Sequence, residues 1–326
     1  MRFTVRLLAA CFAAATLLAG AARAALPIEH WSTANGARVY FVRADEIPML
    51  DVSVDFDAGG RLDPPGRKGL ASVTNSMLSR GAGGLDELAI SEGFARIGAQ
   101  RGGGAGDDRA SVTLRTLTSE PELGEALALL ARVVSQPAFP AEVLAREKER
   151  VIQSIRESET KPETIAQRSF DGLMYGEHPY GAHATAETVG AIGRDDLVAF
   201  HRGHYGARNA VVSMIGAITR ERAQAIAEQL TRDLPPGDAE RRIAPVVPPR
   251  QAIERRVEHP ASQSHILIGQ PAIARGDPDF FALLVGNYVL GGGGFVSRLH
   301  DEVREKRGLA YSVYSYFSPQ LQPGPF

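Results

Sequence analysis

The sequence predicts an α+β protein: a mixed or antiparallel sheet with helices packed on it, the unit built twice and its second copy truncated. Three observations carry this. Short stretches with apolar residues at every second position alternate with longer ones whose apolar residues recur every three to four. A stretch rich in Pro and charge, 236–254, has no period and reads as a linker. Beyond it the strand-then-helix order starts again, which points to a structural repeat.

The first 24 residues stand apart from the fold. Arg2 and Arg6 precede the apolar run LLAACFAAATLLAG, and Ala22-Arg23-Ala24 forms an A-x-A site, so a secretory signal cleaved after Ala24 is expected. That places the protein outside the cytoplasm, in the periplasm. Leu8-Ala9-Ala10-Cys11 resembles a lipoprotein box, but too few apolar residues precede it. Cys11 is the single cysteine, so the mature chain relies on a hydrophobic core in place of disulfides. Three of the 36 basic residues leave with the signal, and about 33 then face 38 acidic ones. This balance argues against nucleic acid as a partner. No later segment is long and apolar enough to span a membrane.

Two domains are expected, 25–235 and 255–326, on either side of the linker. In the first, ARVYFVRA and LDVSVDFDAGG read as strands separated by a turn at Glu46-Ile47-Pro48. After the loop DPPGRKG, Gly69 to Ser79 reads as a helix with Leu70, Val73 and Met77 on one face. A short helix follows between Gly-rich ends, with Gly102-Gly103-Gly104 taken as a flexible loop, and RASVTLRTL is the next strand. Pro121-Glu122 opens a core helix, and a long charged helix spans roughly Ala141 to Glu159 with Leu144, Val151, Ile152 and Ile155 as its apolar stripe. A loop, a short helix and a helix capped near Asp195 lead to the buried strand NAVVSMIGAI and the amphipathic helix TRERAQAIAEQLTRDL. In the second domain SHILIGQPAI and LAYSVYSYF read as strands and PDFFALLVGNYVLGG as a helix. The chain stops at Gly324-Pro325-Phe326 inside what reads as a new strand, hence the expectation of a truncated copy.

The helix GLASVTNSMLSRGA, the long helix near Glu147 and the string GGGGFVSRLHDEVREKRGLAYSVYS together resemble the insulinase and pitrilysin family of inverzincins, in its two-domain, mitochondrial-processing-peptidase-like bacterial branch. The resemblance implies a duplicated processing-peptidase or LuxS-like metallohydrolase fold. It implies, too, where chemistry would sit. Active members hold zinc with two His of an H-x-x-E-H helix and a later Glu, and use the motif Glu as general base. On this chain those helix positions are Ser72, Asn75 and Ser76, and the later Glu falls at or next to Gln153-Ser154. Neutral hydroxyls and amides are poor zinc ligands and cannot act as the base.

Family members also carry an Arg and a Tyr seven positions apart, which hold the substrate carbonyl and the developing oxyanion. Arg304 and Tyr311 stand at that spacing. Some bacterial relatives divide zinc motif and Arg/Tyr pair between two chains. The resemblance therefore implies an inactive-alone subunit of a heterodimeric zinc endopeptidase acting on peptides or unfolded proteins, with no cofactor of its own and zinc in a homologous partner. The alternative is a structural or binding protein of the same fold.

Blander readings compete at each position. Ser72, Asn75 and Ser76 suit any amphipathic helix, and Arg304 among Glu302, Glu305, Lys306 and Arg307 suits a solvated helix end. His178, His183, His201 and His204 lack a Cys or carboxylate at ligand spacing and read as surface or packing histidines. Gly291 to Gly294 reads as a tight turn, since no G-K-[ST] follows, and no G-x-S-x-G elbow is present.

Overall fold

The two alternating stretches after residue 37 become inner strands of a six-stranded sheet. The computed structural model describes residues 27–237 and 243–326; the expected signal segment and residues 238–242 of the linker lie outside them. The strands are β1 Glu29–Ser32, β2 Arg38–Arg43, β3 Met49–Phe56, β6 Gln100–Ala105, β7 Ala110–Leu117 and β8 Ala210–Gly216, with a two-residue hairpin, β4 Gly81–Ala82 and β5 Leu85–Asp86, apart from them. Their order is β1-β2-β8-β3-β7-β6. All neighbours are antiparallel except β2 and β8, so the sheet is mixed as expected.

Register follows from the period of two. Val52 stands opposite Leu114 and Met214, and Val54 opposite Val112 and Val212, and all of these side chains are buried on one face. The other face is open: Tyr40 and Ile215 are exposed, and Asp51 forms a two-pronged ion pair with its cross-strand neighbour Arg115. A hollow of about 610 Å³ lies over it.

Helices cover the buried face. They are α1 Leu70–Met77, α2 Glu87–Arg96, α3 Glu122–Ser135, α4 Ala141–Ser158, α5 Pro162–Tyr175, α6 Ala186–Gly190, α7 Arg194–His204 and α8 Arg220–Thr231. The apolar faces read from the sequence are the ones that pack: Leu70, Val73 and Met77 of α1 and Ala223, Ile226, Ala227 and Leu230 of α8 are all buried. Leu127 and Leu130 of α3 are fully buried and contribute roughly 1.5–3 kcal/mol each. Starts are set by side-chain caps, Asp86 accepting from the Ala89 amide at 2.8 Å and Thr219 from the Arg222 amide at 3.2 Å. At α7 the N-cap is Gly193, whose amide donates at 2.8 Å to the carboxylate of Asp196 in the first turn, close to the Asp195 expected.

The sheet domain departs from expectation in three places. Gly102-Gly103-Gly104 is not a loop but the middle of edge strand β6, paired with Thr113, Val112 and Ser111 of β7. Gly103 sits at φ +134°, and a Cβ there would run into the Ser111 carbonyl, so glycine is what lets this strand pair closely. Helix α5 and strand β1 were not anticipated, although Pro162 at the first turn is a usual helix start.

In the second region the helix is present as α9 Phe280–Asn287 and continues as a π-helical turn, Tyr288–Gly292, to the end of the expected helix; the turn expected at Gly291–Gly294 overlaps its last two residues and runs into a short 3-10 turn, Gly294–Val296. The two strands are not formed. Segments 264–273 and 309–317 belong to no strand ladder; the region is tied by single bridges, Pro271 to Pro325 and Ala274 to Gln320, by backbone bonds such as the Ala272 amide to the Gly324 carbonyl at 2.8 Å, and by Asn287, whose side-chain amide donates to the Ser315 carbonyl at 3.0 Å. Alternation makes a strand only where a neighbour satisfies its backbone groups.

Candidate functional site

Helix α1 begins at Gly69, whose φ of +102° excludes most residues, and the Asp63 carboxylate accepts the Gly69 and Ala71 amides at 2.8 and 2.7 Å. Burial raises the pKa of Asp63, opposed by those two amides. The cap was not read from the sequence, because Asp63 lies a whole loop before the helix.

From this start the motif positions take fixed places. Ser72 faces solvent. Asn75 is 7% exposed, and its amide nitrogen donates to the Ser111 carbonyl at 3.1 Å and to the Tyr205 hydroxyl at 3.4 Å. Tyr205 is fully buried, packed 4.8 Å from the ring of Phe56, and burial raises its pKa far above the ordinary phenol value. Ser76 donates to the Val73 carbonyl one turn back at 2.9 Å. Gln153 and Ser154 are exposed on α4, with Gln153 bonded to Glu157 at 3.1 Å. The buried acid of α4 is instead Glu147, 4% exposed and paired with Arg80 at 3.3 Å and Arg150 at 2.9 Å.

These donors do not fit zinc. A zinc site needs imidazole, thiolate or carboxylate lone pairs converging on one point. Here Asn75 spends its N–H groups on a strand and a tyrosine, Ser76 on its own helix, and the residues of α4 at the corresponding places are neutral. No group of three His, Cys, Asp or Glu side chains disposed to hold a metal occurs among the described residues.

The histidines serve packing. The Nε2–H of His201 donates to the Val134 carbonyl at 2.8 Å, its ring stacks 4.9 Å from Tyr205, and burial lowers its pKa. His204 lies 4.4 Å from the Phe200 ring, His178 bonds the Ala244 carbonyl at 3.1 Å, and His183 faces Asp171 at 3.0 Å.

Arg304 and Tyr311 are brought together. Arg304 lies in a second π-helical segment, His300–Glu305. The chain then reverses at Gly308, φ +61°, whose amide bonds the Arg304 carbonyl at 2.8 Å. Tyr311 returns beside the helix with the Arg304 guanidinium 5.0 Å over its ring, while Phe295 lies 5.6 Å from the same group. Tyr311 is 87% exposed and the Arg304 side chain 31%, so both donors can be reached from outside the chain. Arg304 also donates to His300 at 3.0 Å, a partner that sequence spacing gave no reason to single out.

Comparison with known proteins covers most of the chain, and the two family matches meet near residue 190, ahead of the expected linker at 236–254. Residues 38–187 match the family described as insulinase (peptidase family M16), and residues 191–326 match the peptidase M16 inactive domain. A crystal structure of a peptidase M16 inactive domain from Pseudomonas fluorescens is 41% identical, with a TM-score of 0.88 over 92% of this chain and 73% of that one. An uncharacterized zinc protease of Rickettsia bellii is 26% identical over 90% of this chain and 70% of its own length. One from Streptomyces coelicolor is 29% identical over 90% of this chain and 65% of its own length.

Proposed function

Because the chain belongs to the insulinase (M16) peptidase family, we propose that it is the zinc-free subunit of a two-chain zinc endopeptidase, acting on peptides or unfolded proteins. The observation that carries this reading is a split inventory. The motif helix is intact as a fold element but holds Ser72, Asn75 and Ser76, whereas Arg304 and Tyr311 sit side by side and accessible.

In this reading a homologous partner holds the metal and the general base. Arg304 and Tyr311 reach across the interface and donate hydrogen bonds to the substrate carbonyl, whose oxygen gains charge as it is attacked. Arg brings a permanent charge with fixed donors, and Tyr a hydroxyl donor on a rigid ring. The leader-like first 24 residues support a periplasmic location in this reading.

The first test is zinc per chain, by elemental analysis of the purified mature protein equilibrated with the metal. Near zero is expected. Near one, lost on mutating His201 or His204 and not Ser72, overturns the reading. Recovery of a zinc-bearing M16 chain with this one from periplasmic extract supports it over a purely structural role only if the pair cleaves peptides.

A further inference from the structure

We infer that His300 is a positioning residue that holds the Arg304 guanidinium over Tyr311, a role fixed by its tautomer. The inference rests on the proposed use of Arg304 and Tyr311, but its geometry belongs to this chain alone.

The argument starts from donors and acceptors. Guanidinium has no acceptor, so in the 3.0 Å contact between Arg304 Nη1 and His300 Nε2 the arginine donates and the imidazole nitrogen accepts. That nitrogen carries no proton, and the neutral ring must bear its proton on Nδ1. Yet Nδ1 is buried without a hydrogen-bond partner; the nearest carboxylate oxygen, of Glu305, is 3.9 Å away. A buried ring with an unpartnered N–H is a costly choice where a phenylalanine would pack. What the histidine adds over an apolar ring is the acceptor turned toward Arg304.

The backbone makes that acceptor available. In the π-helical segment residues 300 and 304 share a face, and the His300 ring is wedged 4.8 Å from Phe295 with its own amide on the Ser297 hydroxyl at 3.4 Å. His300 is 6% exposed. Arg304 is therefore held at three points: His300 at one nitrogen, Phe295 on one side and Tyr311 on another. Glu305, 3.7 Å from Arg304 Nε but more than half exposed, is a weaker tether. Holding a flexible arginine in one rotamer removes the ordering cost that it would otherwise incur at each encounter with substrate.

The test is nuclear magnetic resonance on the full chain without any partner. Long-range nitrogen–proton spectra should show the His300 Nε2 signal at the position of an unprotonated nitrogen and Nδ1 at that of a protonated one near neutral pH. Finding the opposite tautomer overturns the inference with no variant needed. Nuclear Overhauser contacts between Arg304 and the Tyr311 ring should be lost in His300→Phe and retained in His300→Gln, which keeps an acceptor; their persistence in His300→Phe also overturns it. In the reconstituted pair, His300→Phe should lower kcat with little change in KM, and His300→Gln should recover most of the rate. Should the resonance results hold while Arg304→Ala leaves peptidase activity untouched, the functional reading fails and the positioning role stands.

Discussion

The guanidinium of Arg304 lies 5.0 Å above the ring of Tyr311, seven residues along the chain. Neither helix nor strand alone brings such a pair together; the reversal at Gly308 does. Its positive φ costs an L side chain roughly 1–2 kcal/mol. Gly308→Ala is therefore expected to loosen the pair while leaving the sheet domain folded. Loss of Arg304–Tyr311 Overhauser contacts with an unchanged β3–β7 amide pattern is the predicted result.

The motif helix is committed to structure at Asn75. Replacing it by Glu, as restoration of the zinc motif requires, puts a larger carboxylate against the Ser111 carbonyl and removes the donor to Tyr205. A loss of about 1–3 kcal/mol is expected in urea unfolding, against under 0.5 kcal/mol for exposed Ser72→His. Equal costs at the two sites would show that Asn75 is not locked in place.

The cap of α1 can be tested by itself. Asp63→Ala removes the acceptor of the Gly69 and Ala71 amides and should cost about 0.5–2 kcal/mol. Gly69→Ala should be harmful too, because a Cβ at φ +102° would press within 3.1 Å of Ala184 Cβ. A stabilised Gly69→Ala protein would contradict the backbone geometry.

Two carboxylates should titrate in opposite directions. Burial raises Asp63, so the native state binds its proton more readily than the unfolded chain does; the stability it contributes is present at low pH and lost as pH rises through its folded-state value. Hydrogen bonds from Lys306 and Arg307 hold Glu302 down to about 2, so its contribution is present above the ordinary glutamate value and lost as pH falls through about 2. Carbon-detected titration of the two side chains checks both signs, and a Glu302 midpoint at the ordinary 4.5 would remove the charge cluster beside Arg304 from the account.

How much of this was legible in the sequence depended on which force set each element. Helices α1, α3, α4 and α8 were readable because burial of one face imposes the 3.6 period and Pro or Gly marks an end. Helix α5 escaped notice because its face buries only Met174 and Tyr175 fully, leaving little period to see. Strand β6 was mistaken for a loop because glycine has poor strand propensity, whereas its close pairing with β7 needs the missing Cβ at Gly103. Residues 264–273 and 309–317 erred the other way, alternating like strands without a ladder to join.

At the site, the spacing of Arg304 and Tyr311 was visible in the string of residues, and the structure brings the two together. His300 was not singled out, because an i, i+4 pair is ordinary on a helix and the sequence does not tell which imidazole nitrogen is unprotonated and turned toward Arg304. Asp63 was hidden for a related reason, since its partners lie across a loop.

The central claim is that this chain supplies hydrogen-bond donors to a substrate carbonyl beside a metal held by another chain. Peptide hydrolysis by the chain mixed with its zinc-bearing homologue, compared with the same mixture carrying Arg304→Ala or Tyr311→Phe, tests it most directly. Neither chain alone should cleave the peptide, the wild-type pair should, and each substitution should lower kcat by roughly 10²–10³ without preventing association. Cleavage by this chain alone, or an unchanged rate in both substituted pairs, would contradict it.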